Sequence, residues 1–230
     1  MSERTVITQK AQAFFDDLWK RGDPWKLETS DFERIKYERE IGILRGRRYP
    51  RVLEIGCGAG WFTRSLAPIA EQIVALDISP AAIDRARAAG EFDSIDFKVA
   101  NVMDYNPRAE GPWDLVVMSE TIYYLGWLYS FFDVAWLAAE LFGGTRDEGQ
   151  LLMANTCGGV EDYLLRPWII RTYHDLFLNV GYQVDSEEIF RGTKDGADIE
   201  VIISLFGKAP NPKDSSVDRV DFSAGDTPRR

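Results

Sequence analysis

The chain has 230 residues, two cysteines, one histidine and a formal net charge of −10, which fits a single soluble domain that needs no disulfide. The acidic charge argues against a nucleic-acid partner, and the polar N-terminus and lack of a long apolar run argue against a secretion signal and a membrane span. A cytoplasmic protein without a metal site is therefore expected.

The N-terminal residues 1–45 are predicted to form a helical cap. Apolar side chains recur at helical spacing over residues 5–20, and a Gly-Asp-Pro sequence then ends that helix. A second helix is expected to begin at Ser30-Asp31, where either residue is a suitable N-cap. The side chains predicted on its buried face are Phe32, Ile35, Ile41 and Leu44. Because the cap precedes the first strand, Trp25 and Tyr37 either wall a ligand pocket or pack the cap onto the body.

An apolar run that ends in an acid and three glycines follows the cap. Residues 52–60 read Val-Leu-Glu-Ile-Gly-Cys-Gly-Ala-Gly, which predicts a buried strand that turns tightly under a ligand before a helix. A dinucleotide loop needs a third glycine at the position of the bulky Trp61, so a pyrophosphate is not expected. The loop instead suits the amino-acid end of S-adenosylmethionine. The candidate ligand residues in this loop are Glu54, Gly56, Cys57, Gly58 and Gly60.

A second strand, over residues 72–77, is predicted to carry the ribose-binding acid. It ends in Asp77, about 20 residues beyond the first glycine, where an acid in such folds accepts hydrogen bonds from ribose hydroxyls. Asp77 and the adjacent Ile78 are therefore assigned to the ligand site.

A third strand, over residues 95–100, is followed by Asn101. One hypothesis is that its side-chain oxygen accepts a hydrogen bond from an adenine amino group while Val102 and Met103 pack on the ring. The alternative is that Asn101 caps a turn. Asp104 is the neighbouring residue that competes for the adenine contact.

The rest of the chain alternates strands and helices, which predicts a parallel sheet covered on both faces. The expected elements are a helix over 60–70, a helix over 80–90, a strand over 113–119, a helix over 125–142, a strand over 149–155, a helix over 168–180 and strands over 182–190 and 199–206. The turn-rich residues 191–196 predict that the last two strands form a hairpin. From residue 208 the polar composition predicts a disordered tail.

The end of the fourth strand is the predicted acceptor pocket. Ser119 and Glu120 end an apolar strand and would lie beside the reacting methyl group, while Tyr123 and Tyr124 add two phenols to the same turn. In the functional hypothesis Glu120 holds or deprotonates an ammonium and a tyrosine orients it. In the structural alternative Glu120 caps a helix and the tyrosines pack beneath the cap.

His174 is the only histidine and the only side chain whose ordinary pKa lies near neutrality. It is kept as a candidate catalytic residue, although it lies at the edge of an apolar helix face where a structural role is common. Without a second histidine or a cysteine partner it does not indicate a metal site.

The glycine loop, Asp77 and Asn101 stand in the order of successive motifs of class I S-adenosylmethionine-dependent methyltransferases, which the chain resembles over roughly residues 46–207. The resemblance implies a Rossmann-like, seven-stranded, mostly parallel sheet with an antiparallel C-terminal hairpin, helices on both faces and an N-terminal helical cap. Asp23-Pro24-Trp25, Tyr37 and the sequence Glu-Thr-Ile-Tyr-Tyr-Leu from residue 120 are similar to the nodulation protein S (NodS) methyltransferases. Those enzymes N-methylate a deacetylated amino sugar on a chitin oligosaccharide, and the likeness places Trp25 and Tyr37 in the methyl-donor pocket.

The favoured hypothesis is therefore a methyltransferase that uses S-adenosyl-L-methionine and acts on a small polar acceptor, such as an amine of an amino sugar. An O-methyltransferase of natural-product biosynthesis is the alternative within the class. A nicotinamide-dependent oxidoreductase and a non-catalytic nucleotide-binding module are the alternatives from other classes. A small-molecule substrate and a monomer or homodimer are expected.

Overall fold

A computed structural model describes residues 3–210 as one seven-stranded sheet with helices packed around it. The helices are α1 (Glu3–Lys20), α2 (Asp31–Leu44), α3 (Trp61–Leu66), α4 (Pro80–Ala88), α5 (Pro107–Glu110), α6 (Ile122–Leu128), α7 (Phe131–Gly144) and α8 (Pro167–Asn179). The strands are β1 (Tyr49–Ile55), β2 (Ala70–Asp77), β3 (Ile95–Val99), β4 (Trp113–Ser119), β5 (Thr145–Gly158), β6 (Gln183–Lys194) and β7 (Ala197–Gly207). No helix in this part of the chain is both long and apolar enough to cross a membrane.

The strand order is β3-β2-β1-β4-β5-β7-β6. Strands β1 to β5 pair in parallel, and β7 runs antiparallel between β5 and β6. This confirms the predicted Rossmann-like sheet with its antiparallel C-terminal hairpin. Strands β2 and β3 lie on one side of β1, and β4 and the later strands lie on the other, so the strand order reverses at β1. In folds of this type, ligands bind beyond the carboxyl ends of the strands at such a switch point.

Helix α2 begins where the sequence predicts but buries a different face. The Ser30 Oγ atom accepts a hydrogen bond from the Glu33 N–H, so Ser30 is the N-cap. Phe32 and Leu44 are buried as predicted, whereas Ile35 is exposed and Ile41 is only half-buried. The polar residues buried on the same helix are Glu33, Lys36 and Glu40. The predicted apolar face was therefore partly wrong, because ion pairs with other elements decide which side faces inward.

Two connections also differ from the sequence prediction. The helix expected over residues 125–142 is two helices, since Ser130 starts α7 with a reciprocal capping box that includes Asp133. The hairpin turn is only Asp195-Gly196, because most of the predicted turn belongs to β6. Both residues have positive φ, 52° at Asp195 and 83° at Gly196, which suits a tight two-residue hairpin.

Lys208, the first residue of the predicted tail, is hydrogen-bonded to the body of the fold. The Lys208 N–H donates to the Gly149 carbonyl, and its Nζ atom donates to the carbonyls of Phe142 and Thr145. Lys208 is thus anchored to the body of the fold. The prediction of disorder otherwise concerns residues 211–230, which lie outside the described residues, and the division into cap, core and tail stays a prediction.

Candidate functional site

A cavity of about 540 Å³ lies at the carboxyl ends of β1, β2 and β4. Its volume falls within the range of roughly 300–1,000 Å³ that is usual for small-molecule sites. Helices α1 and α2 and the segment between them cover it, while the tip of the β6–β7 hairpin and the loop after β5 close its sides. The aromatic residues that line it are Phe15, Trp19, Trp25, Tyr37, Phe62, Tyr123, Tyr124 and Tyr129.

The glycine loop forms the floor of this cavity. Gly56, Gly58 and Gly60 have φ values of 78°, 53° and 75°, which residues with a side chain rarely adopt. A Cβ atom on Gly58 would lie 2.8 Å from the Trp19 ring, so the cap packs directly on the backbone here. Gly56, Cys57 and Gly58 line the cavity, whereas Gly60 ends the turn at the start of α3 without lining it.

Asp77 lies beside the glycine loop. Its Oδ2 atom accepts a hydrogen bond of 2.8 Å from the Gly58 N–H, and its Oδ1 atom accepts one of 2.8 Å from the Ser79 N–H. Burial outweighs these bonds and raises the pKa of Asp77 to about 6. Asp77 and Ile78 both line the cavity, so the structure brings the predicted ribose-binding segment to the glycine turn.

Glu54 lies at the end of β1 and is almost wholly buried. Burial raises the pKa of Glu54 to about 7. Its Oε2 atom is buried without a hydrogen-bond partner among residues 3–210. Because Glu54 also lines the cavity, this carboxylate is an acceptor for a ligand that carries N–H or O–H donors.

A row of aromatic rings, here called the aromatic wall, runs along the cavity from the cap to the turn after β4. The Trp25 ring lies 5.6 Å from the Trp19 ring and 6.3 Å from the Tyr124 ring, and the Tyr123 and Tyr124 rings are 4.6 Å apart. Burial raises the pKa of Tyr124 to about 12, so its phenol group is neutral at neutral pH. The indole of Trp25 carries no charge, and both rings line the cavity. Tyr37 packs on Phe62 with 5.1 Å between the ring centroids, and both rings line the cavity.

Asn101 caps a turn, as the structural alternative expected, and the interpretation of its side-chain oxygen as an adenine acceptor stays a prediction. Asn101 Oδ1 accepts from the Met103 N–H at 3.1 Å, and Nδ2 donates to Thr8 Oγ1 at 2.9 Å and to Tyr129 Oη at 2.8 Å. Asn101 and Val102 line the cavity, but Met103 is buried in the core outside it. The amide group is therefore committed to tying α1 to this turn.

Glu120 is held by four hydrogen bonds. Its Oε1 atom accepts from Lys36 Nζ at 3.2 Å and from Thr156 Oγ1 at 3.0 Å, and its Oε2 atom accepts from Tyr123 Oη at 3.1 Å and from the Thr156 N–H at 2.9 Å. Glu120 also has a φ of 54°, an unusual value for a residue with a side chain. Ser119, Tyr123 and Glu120 all line the cavity. These four bonds make Glu120 a fixed anchor for Tyr123, and its predicted contact with an ammonium stays a prediction.

Lys36 is the centre of a buried charge network that sequence reasoning missed. Its side chain is 1% exposed, and its Nζ atom lies 2.7 Å from Glu33 Oε2 and 3.2 Å from Glu120 Oε1. Burial alone would lower the pKa of Lys36, but the two carboxylates raise it well above its usual value. Lys194, from the hairpin, pairs with the other oxygen of Glu33. The sequence signal was the spacing of Glu33, Lys36 and Glu40, which places these three charged residues on one side of α2.

His174 does not line the cavity, and we correct its assignment as a catalytic candidate. It is fully buried between α8 and the sheet, with Nε2 3.1 Å from Asn155 Nδ2 and Nδ1 3.0 Å from Ser204 Oγ. Burial lowers the pKa of His174 to about 4, so the ring is neutral at neutral pH. Its role is structural, at the edge of an apolar helix face.

A sequence model of the nodulation protein S (NodS) family matches residues 9–131, which is more than half of the chain. The chain belongs to the NodS family. The matched region contains the glycine loop, Asp77, Asn101 and Glu120 to Tyr124, whereas Thr156, His174 and Lys194 lie outside it.

Two curated NodS proteins and one solved NodS structure show how far the likeness extends. Nodulation protein S of Bradyrhizobium diazoefficiens is 33% identical over 136 residues, which cover 55% of this chain and 64% of that protein. The Rhizobium tropici protein is 36% identical over 106 residues, covering 45% and 44%. The chain thus spans less than two thirds of the length of these relatives. One solved structure with a similar fold is the crystal structure of N-methyltransferase NodS from Bradyrhizobium japonicum WM9 in complex with S-adenosyl-L-homocysteine. It superposes with a TM-score of 0.73 at 20% identity, over 86% of this chain and 98% of that one. This likeness shows the fold.

Proposed function

We propose that this NodS-family protein is a methyltransferase that uses S-adenosyl-L-methionine and methylates an amine of a small polar acceptor, such as an amino sugar of an oligosaccharide. The observation that carries the proposal is the pair of carboxylates, Glu54 and Asp77, that flank a glycine turn at the switch point of the sheet. Membership of the NodS family and the S-adenosyl-L-homocysteine complex of its structural neighbour support it.

The donor side of the cavity fits the proposed cofactor. The buried Oε2 atom of Glu54 has no protein partner among the described residues and suits an ammonium group. Asp77 is already fixed by two backbone N–H groups and keeps free lone pairs for ribose hydroxyls. Tyr37 and Phe62 offer an apolar surface beside them. When bound, S-adenosyl-L-methionine supplies an electrophilic methyl group whose leaving sulfur needs no acid.

The acceptor side of the cavity fits an uncharged amine. Tyr123 donates its only hydroxyl proton to Glu120, so the remaining lone pairs on its oxygen are left to accept an N–H from the acceptor. The carboxylate, the lysine behind it and Thr156 hold that tyrosine in one orientation. Such fixed positioning supplies much of the rate in a displacement reaction, on the order of 7 to 11 kcal/mol in favourable cases.

Calorimetry with S-adenosyl-L-methionine and a transfer assay with labelled donor test the proposal. We expect binding of the donor, at least tenfold weaker binding for Asp77→Ala, and label on the nitrogen of a chitin oligosaccharide that carries one deacetylated glucosamine. Absence of donor binding at millimolar concentration would overturn the proposal. Label on an acceptor oxygen would favour the O-methyltransferase alternative.

A further inference from the structure

Glu40 lies directly behind the part of the cavity wall that Ser119 forms. The Ser119 hydroxyl donates to Glu40 Oε1 at 3.1 Å. Ser119 lines the cavity, whereas Glu40 is 0% exposed and does not. The second carboxyl oxygen of Glu40, Oε2, has no hydrogen-bond partner in the described part of the chain. The hydroxyl of Ser119 therefore connects a sealed carboxyl group to the space where the acceptor binds.

Glu40 does not take part in the ion pairs of Lys36. Among the described residues, Lys36 forms ion pairs with Glu33 and Glu120 but not with Glu40. The groups that face Glu40 are Glu33, Lys36, Ser119 and Glu120, and two of these carry a like charge. Burial, opposed by Lys36 and reinforced by Glu120, raises the pKa of Glu40 to about 8. A group with such a pKa exchanges protons readily with an amine, since α-amino groups also titrate near pH 8.

Glu120 is unsuited to accept the proton, although it is the carboxylate closer to the cavity. Lys36, Tyr123 and two donors of Thr156 already occupy its oxygens, and protonating it would leave the ammonium of Lys36 less well paired. Glu40 has no such constraint.

We propose that Glu40, acting through the Ser119 hydroxyl, accepts the proton that the acceptor ammonium loses before methyl transfer. The ammonium N–H proton passes to Ser119 Oγ as the serine proton passes to Glu40 Oε1, which leaves a neutral amine with a lone pair. The new N–C bond then forms while the C–S bond of the donor breaks, and the methylated ammonium keeps its remaining protons. After product release the proton returns from Glu40 through Ser119 to the cavity. This inference rests on the proposed function; Ser119 touches the acceptor, and Glu40 is a positioning residue that acts through it.

The test measures the rate of methyl transfer to the monodeacetylated chitin oligosaccharide at saturating donor and acceptor over a range of pH. For the wild-type protein we expect the rate to rise through about pH 8 and then to level off. Glu40→Gln should lower the plateau by about a hundredfold and remove that inflection, while calorimetry shows unchanged affinity for S-adenosyl-L-methionine. Ser119→Ala should give the same two effects while Glu40 itself stays in place, because the hydroxyl that links Glu40 to the cavity is gone.

Glu38→Gln on the same helix is the matched control, because Glu38 is exposed and pairs only with Arg34 in the described contacts; it should leave rate and profile unchanged. A merely structural role would lower the rate of Glu40→Gln without moving the inflection, and that result would overturn the inference alone. A wild-type protein that binds the donor but methylates no amine would overturn the proposed function and, with it, this inference.

Discussion

Lys36 Nζ lies 3.2 Å from Glu120 Oε1, and this partly buried ion pair joins the cap helix α2 to the end of β4. The same ammonium lies 2.7 Å from Glu33 Oε2, and Glu33 in turn pairs with Lys194 of the hairpin. Three segments that are far apart in the chain therefore meet over the acceptor side of the cavity. The arrangement fixes the carboxylate that orients Tyr123, so the contacts that hold the cap also hold a side chain of the proposed acceptor site.

Removing this lysine should destabilise the protein strongly. Lys36→Met leaves Glu120 without a cation and leaves Glu33 with Lys194 alone, so we expect a loss of about 2–3 kcal/mol, below the roughly 3–5 kcal/mol typical of a buried charge with no partner. Equilibrium unfolding in urea measures the change in the free energy of unfolding. Lys98→Met is the matched control, because its pair with Asp96 is partly exposed at 3.2 Å and should contribute less than about 1 kcal/mol. Equal effects of the two substitutions would contradict the buried network.

Glu120→Gln should impair transfer without impairing donor binding. An amide has one oxygen where the carboxylate has two, so the glutamine can accept at most two of the four hydrogen bonds. Its NH₂ group would then face a donor from Lys36, Thr156 or Tyr123. We expect a rate of methyl transfer lower by about a hundredfold, as is common when a reacting group is misplaced by about 1 Å. Calorimetry with S-adenosyl-L-methionine should show an unchanged affinity. Glu91→Gln, on an exposed residue, should change neither, and a fully active Glu120→Gln would show that the anchor has no role.

Donor affinity should rise with pH between about pH 5 and pH 8. The pKa values of Asp77 and Glu54 are raised by burial to about 6 and about 7, so both carboxyl groups are partly protonated below neutrality. A ligand that donates hydrogen bonds, or is cationic, binds the ionised forms better and releases protons as it binds. Calorimetry at several pH values measures this, and Glu54→Gln should flatten the upper part of the dependence. An affinity independent of pH would argue that neither carboxylate contacts the donor.

Local sequence patterns predicted that the glycine loop and Asp77 meet, because these parts lie close together in the chain. Gly58 and Asp77 belong to one strand–helix–strand unit, and their 2.8 Å hydrogen bond follows from the parallel pairing of β1 and β2. The acceptor side depends on contacts between distant segments, such as Lys36 with Glu120, 84 positions apart. No spacing rule reports such a partner. Asn101 illustrates the same limit, since its hydrogen bond to Thr8 of α1, 93 positions away, could not be foreseen from the sequence.

His174 should make the protein less stable in acid. Burial lowers its folded-state pKa to about 4 from the ordinary 6.5. The contribution of the neutral ring to the free energy of unfolding is therefore fully present above pH 6.5 and is lost as the pH falls towards 4. The full shift corresponds to about 3 kcal/mol. Glu40, Glu54 and Asp77, whose folded pKa values are raised, act in the opposite direction because they stabilise the fold as the pH falls.

The histidine contribution is therefore measured as a difference between two proteins. Urea unfolding of the wild type and of His174→Gln from pH 7 to pH 4 gives it directly, since the carboxyl contributions cancel. The glutamine can still hydrogen-bond to Asn155 and Ser204, so the variant should fold. The stability of the wild type relative to the variant should fall with the pH. A constant difference would show that the ring is not sealed from solvent.

Gly58→Ala should weaken both the fold and donor binding, because two separate costs coincide at this position. Its φ of 53° strains any residue with a side chain, and the new Cβ atom would lie 2.8 Å from the Trp19 ring, which must move away from the cavity floor. Gly196→Ala is the matched control, since φ there is 83° and no atom lies within 4 Å of the added carbon. Both variants should lose roughly 1 to 2 kcal/mol of stability through backbone strain. Only Gly58→Ala should also lose affinity for S-adenosyl-L-methionine in calorimetry, by tenfold or more, and equal donor affinity in the two variants would remove the glycine loop from the binding site.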